Sequence, residues 1–160
     1  KSDIATLNLP GDITFAVLPH TPYGKSLAEI AYHSDHDVIL HIPMESSNEL
    51  KALGPGALTS AMDEASIRAT LAGAFDEIPF AIGINNHMGS YLTTLYTPMA
   101  WTMRYLKEQN MIFIDSVTTS KSKARNVARH FGVPNLGRRI FLDNHLDKEY
   151  ITQQFHAFIS

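Results

Sequence analysis

Four apolar runs in this chain show no polar alternation, and each ends in a small knot of polar side chains. The first two are Asp37-Val-Ile-Leu-His41-Ile-Pro-Met-Glu45 and Phe80-Ala-Ile-Gly-Ile-Asn85-Asn86-His87-Met-Gly-Ser90. Met111-Ile-Phe-Ile-Asp115-Ser116 and Arg139-Ile-Phe-Leu-Asp143-Asn144-His145 follow. A segment apolar on both faces is what a strand buried in a parallel sheet requires. Parallel strands share one carboxyl end, so polar groups delivered from several such ends converge. In α/β folds that point of convergence is where ligands bind.

Between these runs the apolar spacing turns helical. Leu27, Ile30 and Ala31 lie at helical spacing within residues 25–32. Ile67, Leu71, Phe75 and Ile78 form one stripe over residues 60–77, with Ser60 and Asp63 as a capping pair. Helices are also expected over 96–109, 122–131 and from 148 onward, and a short β-rich run over 13–18 opens the series. Gly54-Pro55-Gly56 reads as a turn with special backbone geometry, and Gly132 with Pro134 beyond it as a helix terminator. The order is βαβαβαβαβα, which calls for parallel strands with helices outside them. Five strands fit an open doubly wound sheet or most of a barrel, and the pattern does not choose between the two. A dinucleotide fold is disfavoured, because Gly54-Pro55-Gly56 lacks both a preceding strand and the third small residue.

The length of 160 residues suits one domain, and 44% hydrophobic residues suffice for a buried core. With 13 Lys and Arg against 16 Asp and Glu, no nucleic-acid or other polyanion partner is expected. The densest basic group, Lys121, Lys123 and Arg125, reads as the solvated face of a helix. No apolar stretch approaches membrane-spanning length. The absence of cysteine removes disulfide scaffolds, zinc fingers and thiol nucleophiles, so a metal would have to be held by Asp, Glu or some of the 8 histidines.

Six words of the sequence together resemble the divergent polysaccharide deacetylases, a distant branch of the NodB-type carbohydrate deacetylases. They are Phe15-Ala-Val-Leu-Pro-His20, Leu40-His-Ile-Pro-Met-Glu45, Gly54-Pro-Gly-Ala-Leu58, Asn85-Asn-His-Met-Gly-Ser90, Phe113-Ile-Asp-Ser116 and Phe141-Leu-Asp-Asn144. The resemblance spans almost the whole chain. It implies a distorted (β/α) barrel of about seven strands, of which five βα units would lie here, within a single domain over 1–160. It also implies export to the periplasm or cell envelope, a polysaccharide substrate, and a divalent metal, zinc by preference, held by one Asp and two His. By that likeness His41, Glu45 and His87 are the metal candidates, with Glu45 standing where relatives have a second His. The family's paired aspartates and its late Gly-His-Pro turn are expected outside residues 1–160. Without its first strand, the sheet would have an uncovered edge and a tendency to self-associate.

Removal of an N-acetyl group needs an activated water, a stabilised oxyanion and a proton for the leaving nitrogen. A zinc-type ion serves the first two needs, and catalytic sites of this kind keep three protein ligands and one open position. Asp115, Glu45 and His87 are the catalytic candidates, and His20, Asn85, Asn86, Ser90, Asp143 and Asn144 the substrate-contacting ones. Each has a structural alternative. His41 could be a hydrogen-bonded interior histidine with Glu45 solvated, and its approach to Glu45 would depend on a bend at Ile42-Pro43. His87 could fix a turn through Asn85 or Asn86, Asp143 and Asn144 could cap the next helix, and Trp101 reads as core. No Gly-x-Ser-x-Gly elbow surrounds Ser90 or Ser116. The leading expectation is a metal-dependent deacetylase of an envelope glycan. The rival is a carbohydrate-binding or scaffolding protein on the same fold without catalysis.

Overall fold

Strand β2 (Asp37–Met44) organises the molecule, because its Val38, Leu40, Ile42 and Met44 all reach the main core. The computed structural model describes residues 12–48, 52–142 and 144–159. Along the chain run β1 (Thr14–Val17), α1 (Gly24–His33), β2, α2 (Glu64–Glu77) and β3 (Gly83–Met88). A 3-10 turn at Leu92–Thr94 leads into α3 (Tyr96–Glu108), then β4 (Ile112–Asp115), α4 (Ala124–His130), β5 (Asn135–Gly137) and α5 (Lys148–Ile159). The expected strand–helix alternation is present throughout. No helix among the described residues is long and apolar enough to cross a membrane.

All five strands are parallel and lie in sequence order, β1-β2-β3-β4-β5. That order contains no reversal. Right-handed crossovers between successive neighbours put the connecting helices α1 to α4 on one face, whereas a doubly wound sheet needs a reversal of strand order. Residues from α1 (Ala28, Ala31), α2 (Ile67, Leu71), α3 (Met99, Met103) and α4 (Val127, Ala128) accordingly share one buried cluster with the same face of β2, β3 and β4. The stripe Ile67, Leu71, Phe75 and Ile78 is buried as its spacing predicts, and Trp101 packs half-buried against this core. Truncating Leu71 to Ala would cost about 2–5 kcal/mol, since it is fully enclosed.

Two expectations are corrected. Helix α2 begins at Glu64 rather than near 60, because Asp63, in extended backbone, caps it by accepting the Ser66 N–H at 2.8 Å. Ser60 instead donates its backbone N–H to the Glu45 carboxylate, which holds the approach to the helix as a turn. The last strand is Asn135–Gly137, not the apolar run beginning at Arg139. There Phe141 and Leu142 are exposed, and Phe141 lies beneath the Arg138 guanidinium at 3.2 Å. An apolar run without a neighbouring strand to pair with is not a strand, so the fourth polar ending is not a strand ending.

Candidate functional site

Successive strand residues point to opposite faces, and this parity decides which polar groups meet. On β2, the side chains of Ile39, His41 and Pro43 turn away from the helices; on β3, Asn85 and His87 do the same. Register sets His41 opposite Asn85 and Pro43 opposite His87. Two contacts follow. The Nδ1–H of His41 donates to Asn85 Oδ1 at 2.7 Å, and the Nδ1–H of His87 donates to His41 Nε2 at 3.0 Å. The two imidazoles meet nearly edge-on, 4.8 Å between ring centres.

The proline does not bend the strand, as a direct approach of Glu45 to His41 would have required; β2 runs through Pro43 to Met44. Its missing N–H is harmless there. Strand β1 pairs with β2 only as far as Leu40, and above that point the Pro43 carbonyl accepts the Leu58 N–H at 2.9 Å. Glu45 then donates its own N–H to Leu58 O at 2.9 Å. The proline thus sits where β2 has lost its strand neighbour on that side.

Burial holds His41 below the ordinary histidine pKa of 6.5; the Asn85 bond pulls the other way, and the nearby His87 charge adds to the depression. With Asn85 taking its Nδ1 proton, neutral His41 presents a lone pair at Nε2. This is the tautomer that a metal-ligating histidine with an outer-shell partner uses. At a Zn–N distance of about 2.05 Å, two nitrogens of a tetrahedral ion lie about 3.3 Å apart. The 3.0 Å between His41 Nε2 and His87 Nδ1 would suit two ligands of one ion after a few tenths of an ångström of opening, once the His87 proton moves from Nδ1 to Nε2. The donor set fits a metal, but supplies two ligands where a catalytic site has three. Among the described residues no group of three or more His, Asp or Glu is placed to hold an ion.

The opposite face of the same strands carries a separate polar lock. Asn86, fully buried, donates from Nδ2 to Met88 O at 2.7 Å and accepts the Ser116 N–H at 2.8 Å. Asp115, also buried, accepts the Val117 N–H and the Ser122 hydroxyl, each at 2.8 Å. Arg138 donates to the carbonyls of Ser116 and Val117 at 2.6 and 2.9 Å. These bonds hold Met88 (φ 56°) and Val117 (φ 47°) in left-handed backbone, which is costly for a β-branched residue such as Val117. The lock fixes the exits of β3 and β4.

The expected convergence is therefore partial. The structure brings His41, His87 and Asn85 together. Asp115 and Asn86 are committed to the lock on the helix-covered face. Glu45 is not the third member of the histidine pair: its carboxylate is tied to Ser60 N–H, and its carbonyl accepts the N–H groups of Tyr91 and Leu92. Ser90 sits in a hydroxyl cluster, 3.0 Å from Ser46 Oγ, Ser47 Oγ and Ser47 N. His20 pairs with Glu77 at 2.6 Å, and its ring lies against Gly56. Neither contact belongs to the histidine pair. Asn144 is exposed, and Asp143 lies outside the described residues. Ser46 and Ser47 were not anticipated; their sequence signal, two small polar residues after a strand, is no different from any loop.

A one-sided parallel α/β sheet with paired imidazoles toward its carboxyl end defines the class. Within it, the chain belongs to the divergent polysaccharide deacetylase family, whose model matches residues 1–160. It is 35% identical over 153 residues to the uncharacterized protein YibQ of Escherichia coli, covering 96% of this chain and 48% of that protein. It is 34% identical over 159 residues to an uncharacterized Haemophilus influenzae protein, covering 99% and 56%. The chain thus spans about half the length of these relatives. An uncharacterized Agrobacterium tumefaciens protein of known crystal structure has the same fold, with a TM-score of 0.90 at 17% identity over 98% of this chain and 65% of that one.

Proposed function

We propose that this chain forms part of a metal-dependent hydrolase that removes N-acetyl or similar acyl groups from an envelope polysaccharide. The observation that supports this most is the His41–His87 pair, 3.0 Å apart and oriented by Asn85 on the open face of the sheet. His41 and His87 would hold a divalent cation, zinc by preference, and the third ligand would come from outside the described residues. Such an ion supplies a water acidic enough to attack an amide near neutral pH. The chain's own part is to hold His41 in one tautomer, bury it from bulk water and fix the exit of β3 that aims His87. In the same reading the sequential sheet is a section of a distorted barrel wall, the protein is exported, and the edges at β1 and β5 are where copies self-associate.

Metal-stripped protein should bind zinc stoichiometrically in calorimetry, and acetate should be released from N-acetylated glycan when the ion is restored. His87→Ala should abolish both. Wild-type protein that takes up no divalent cation at micromolar concentration sinks the reading. One observation favours a second reading. Glu45 is engaged elsewhere and the described residues assemble only two nitrogen ligands, which suits a glycan-binding protein without catalysis. Glycan binding that survives chelator, with no acetate released, would decide for it.

A further inference from the structure

Beyond the histidine pair, the carboxyl end of β2 opens into a cleft of about 400 Å³. Its walls are the residues that leave β2 and the segment that leads into α2. Glu45, Ser46, Thr59 and Ser60 supply polar groups, and Leu53 and Ala61 an apolar surface. None of the described residues lining it is Lys, Arg or His. The volume lies within the range of about 300–1,000 Å³ typical of small-ligand sites.

We infer that this cleft is a subsite for one sugar unit of the glycan, and that the unit is uncharged or carries an amine rather than an acid group. The inference rests on the glycan reading above and assigns a place and a charge class to its substrate. Hydroxyl groups that both donate and accept, beside a small apolar wall, match a pyranose, which has hydroxyls on its rim and C–H groups on its faces. The Glu45 carboxylate sets the sign. One oxygen accepts the Ser60 N–H, so the group is held in place at the cleft wall, where it attracts hydroxyl and ammonium donors and repels a uronate or phosphate.

The cleft also connects physically to the histidine pair. Ser46, on its wall, is 3.0 Å from Ser90 Oγ, and Ser90 follows His87 through the Met88-Gly89 turn. The Glu45 carbonyl accepts the Tyr91 and Leu92 N–H groups at 3.2 and 3.0 Å. The β2 exit and the β3 exit therefore form one hydrogen-bonded rim. A glycan seated in the cleft would run toward His87 without crossing the sheet.

The test uses the full chain, calorimetry and saturation-transfer NMR, with trimers of N-acetylglucosamine, glucosamine and galacturonic acid as probes. The first two should bind, and the galacturonic acid trimer should bind about tenfold more weakly or not at all. Ala61→Trp, which fills the cleft from an exposed position, should weaken the two binding trimers about tenfold. Ser60→Arg keeps the backbone bond to Glu45 and cancels the local charge, so it should strengthen binding of the galacturonic acid trimer relative to the other two. Circular dichroism establishes that each variant is folded, and either one alone suffices. His87→Ala should leave the trimer affinities within about threefold, because His87 does not line the cleft. Unchanged affinity in a folded Ala61→Trp or Ser60→Arg variant overturns the cleft assignment, as does equal binding of the acidic trimer. Trimer binding by wild-type protein that takes up no divalent cation in a zinc titration leaves the cleft standing and removes the hydrolase reading instead.

Discussion

Asn85 and Asn86 are the same residue one position apart, yet the sheet gives them to different regions of the molecule. Asn85 stands on the open face and orients His41, in a cluster of half-buried imidazoles. Asn86 stands on the helix-covered face, has no exposed surface, and ties the exits of β3 and β4 together. The open-face cluster is held by the hydrogen bonds that His41 makes with Asn85 and His87. The covered-face lock with Asp115 leaves no buried side-chain nitrogen or oxygen without a partner and holds two left-handed residues in place, so its groups are committed to structure. Polarity at a strand end is therefore not evidence of a site until the face is known.

This contrast can be tested residue by residue. The largest loss of stability is expected for Asp115→Ala, which strands the Val117 N–H and the Ser122 hydroxyl; chemical denaturation should show about 3 kcal/mol. Asn86→Ala should follow at about 2 kcal/mol, because the Ser116 N–H loses its partner and the Met88 carbonyl keeps only the Thr118 hydroxyl. A loss below about 0.5 kcal/mol in either would mean that the lock is not structural. Asn85→Ala and His87→Ala should each cost under about 1 kcal/mol. Asn85→Ala should nevertheless weaken zinc binding about 10–100-fold by releasing the His41 tautomer. Equal stability losses for Asn85→Ala and Asn86→Ala would erase the distinction between the faces.

The smallest effect is a pH dependence. Because burial depresses the His41 pKa, the unfolded chain takes up that proton first as pH falls. Stability contributed by neutral His41 is complete above about 6.5 and is lost as pH drops through the folded-state value. Denaturation midpoints of metal-free protein should therefore fall between pH 8 and pH 5, and fall less in His41→Gln. An identical fall in that variant would place the titration elsewhere.

Much of this was legible before any coordinates. Unalternating runs at 37–44 and 111–115 marked parallel strands, the 3.6-residue stripe through Ile67, Leu71 and Phe75 marked α2, and the string at 85–90 marked both the family and half of the site. Three things were not legible. The run after Arg139 has the composition of a strand but no neighbour to pair with, because the Gly137 backbone takes the last place beside β4. Asp115 has the look of a catalytic acid, but it extends the parity of Phe113 into the covered face. Glu45 lies four residues from His41, and only the bridge to Leu58 and the bond from Ser60 reveal that it belongs to another cleft.

Local composition and periodicity, which act within a few residues of each position, determined the elements and their order. Strand register, which acts between segments more than 40 residues apart, decided that His41 meets Asn85 and His87. A shift of one residue in that pairing would have left every strand intact and sent the imidazoles to opposite faces. The difference is physical: a strand's apolar character is set by the chain around it, whereas the partner of a side chain is set by whatever the sheet places beside it.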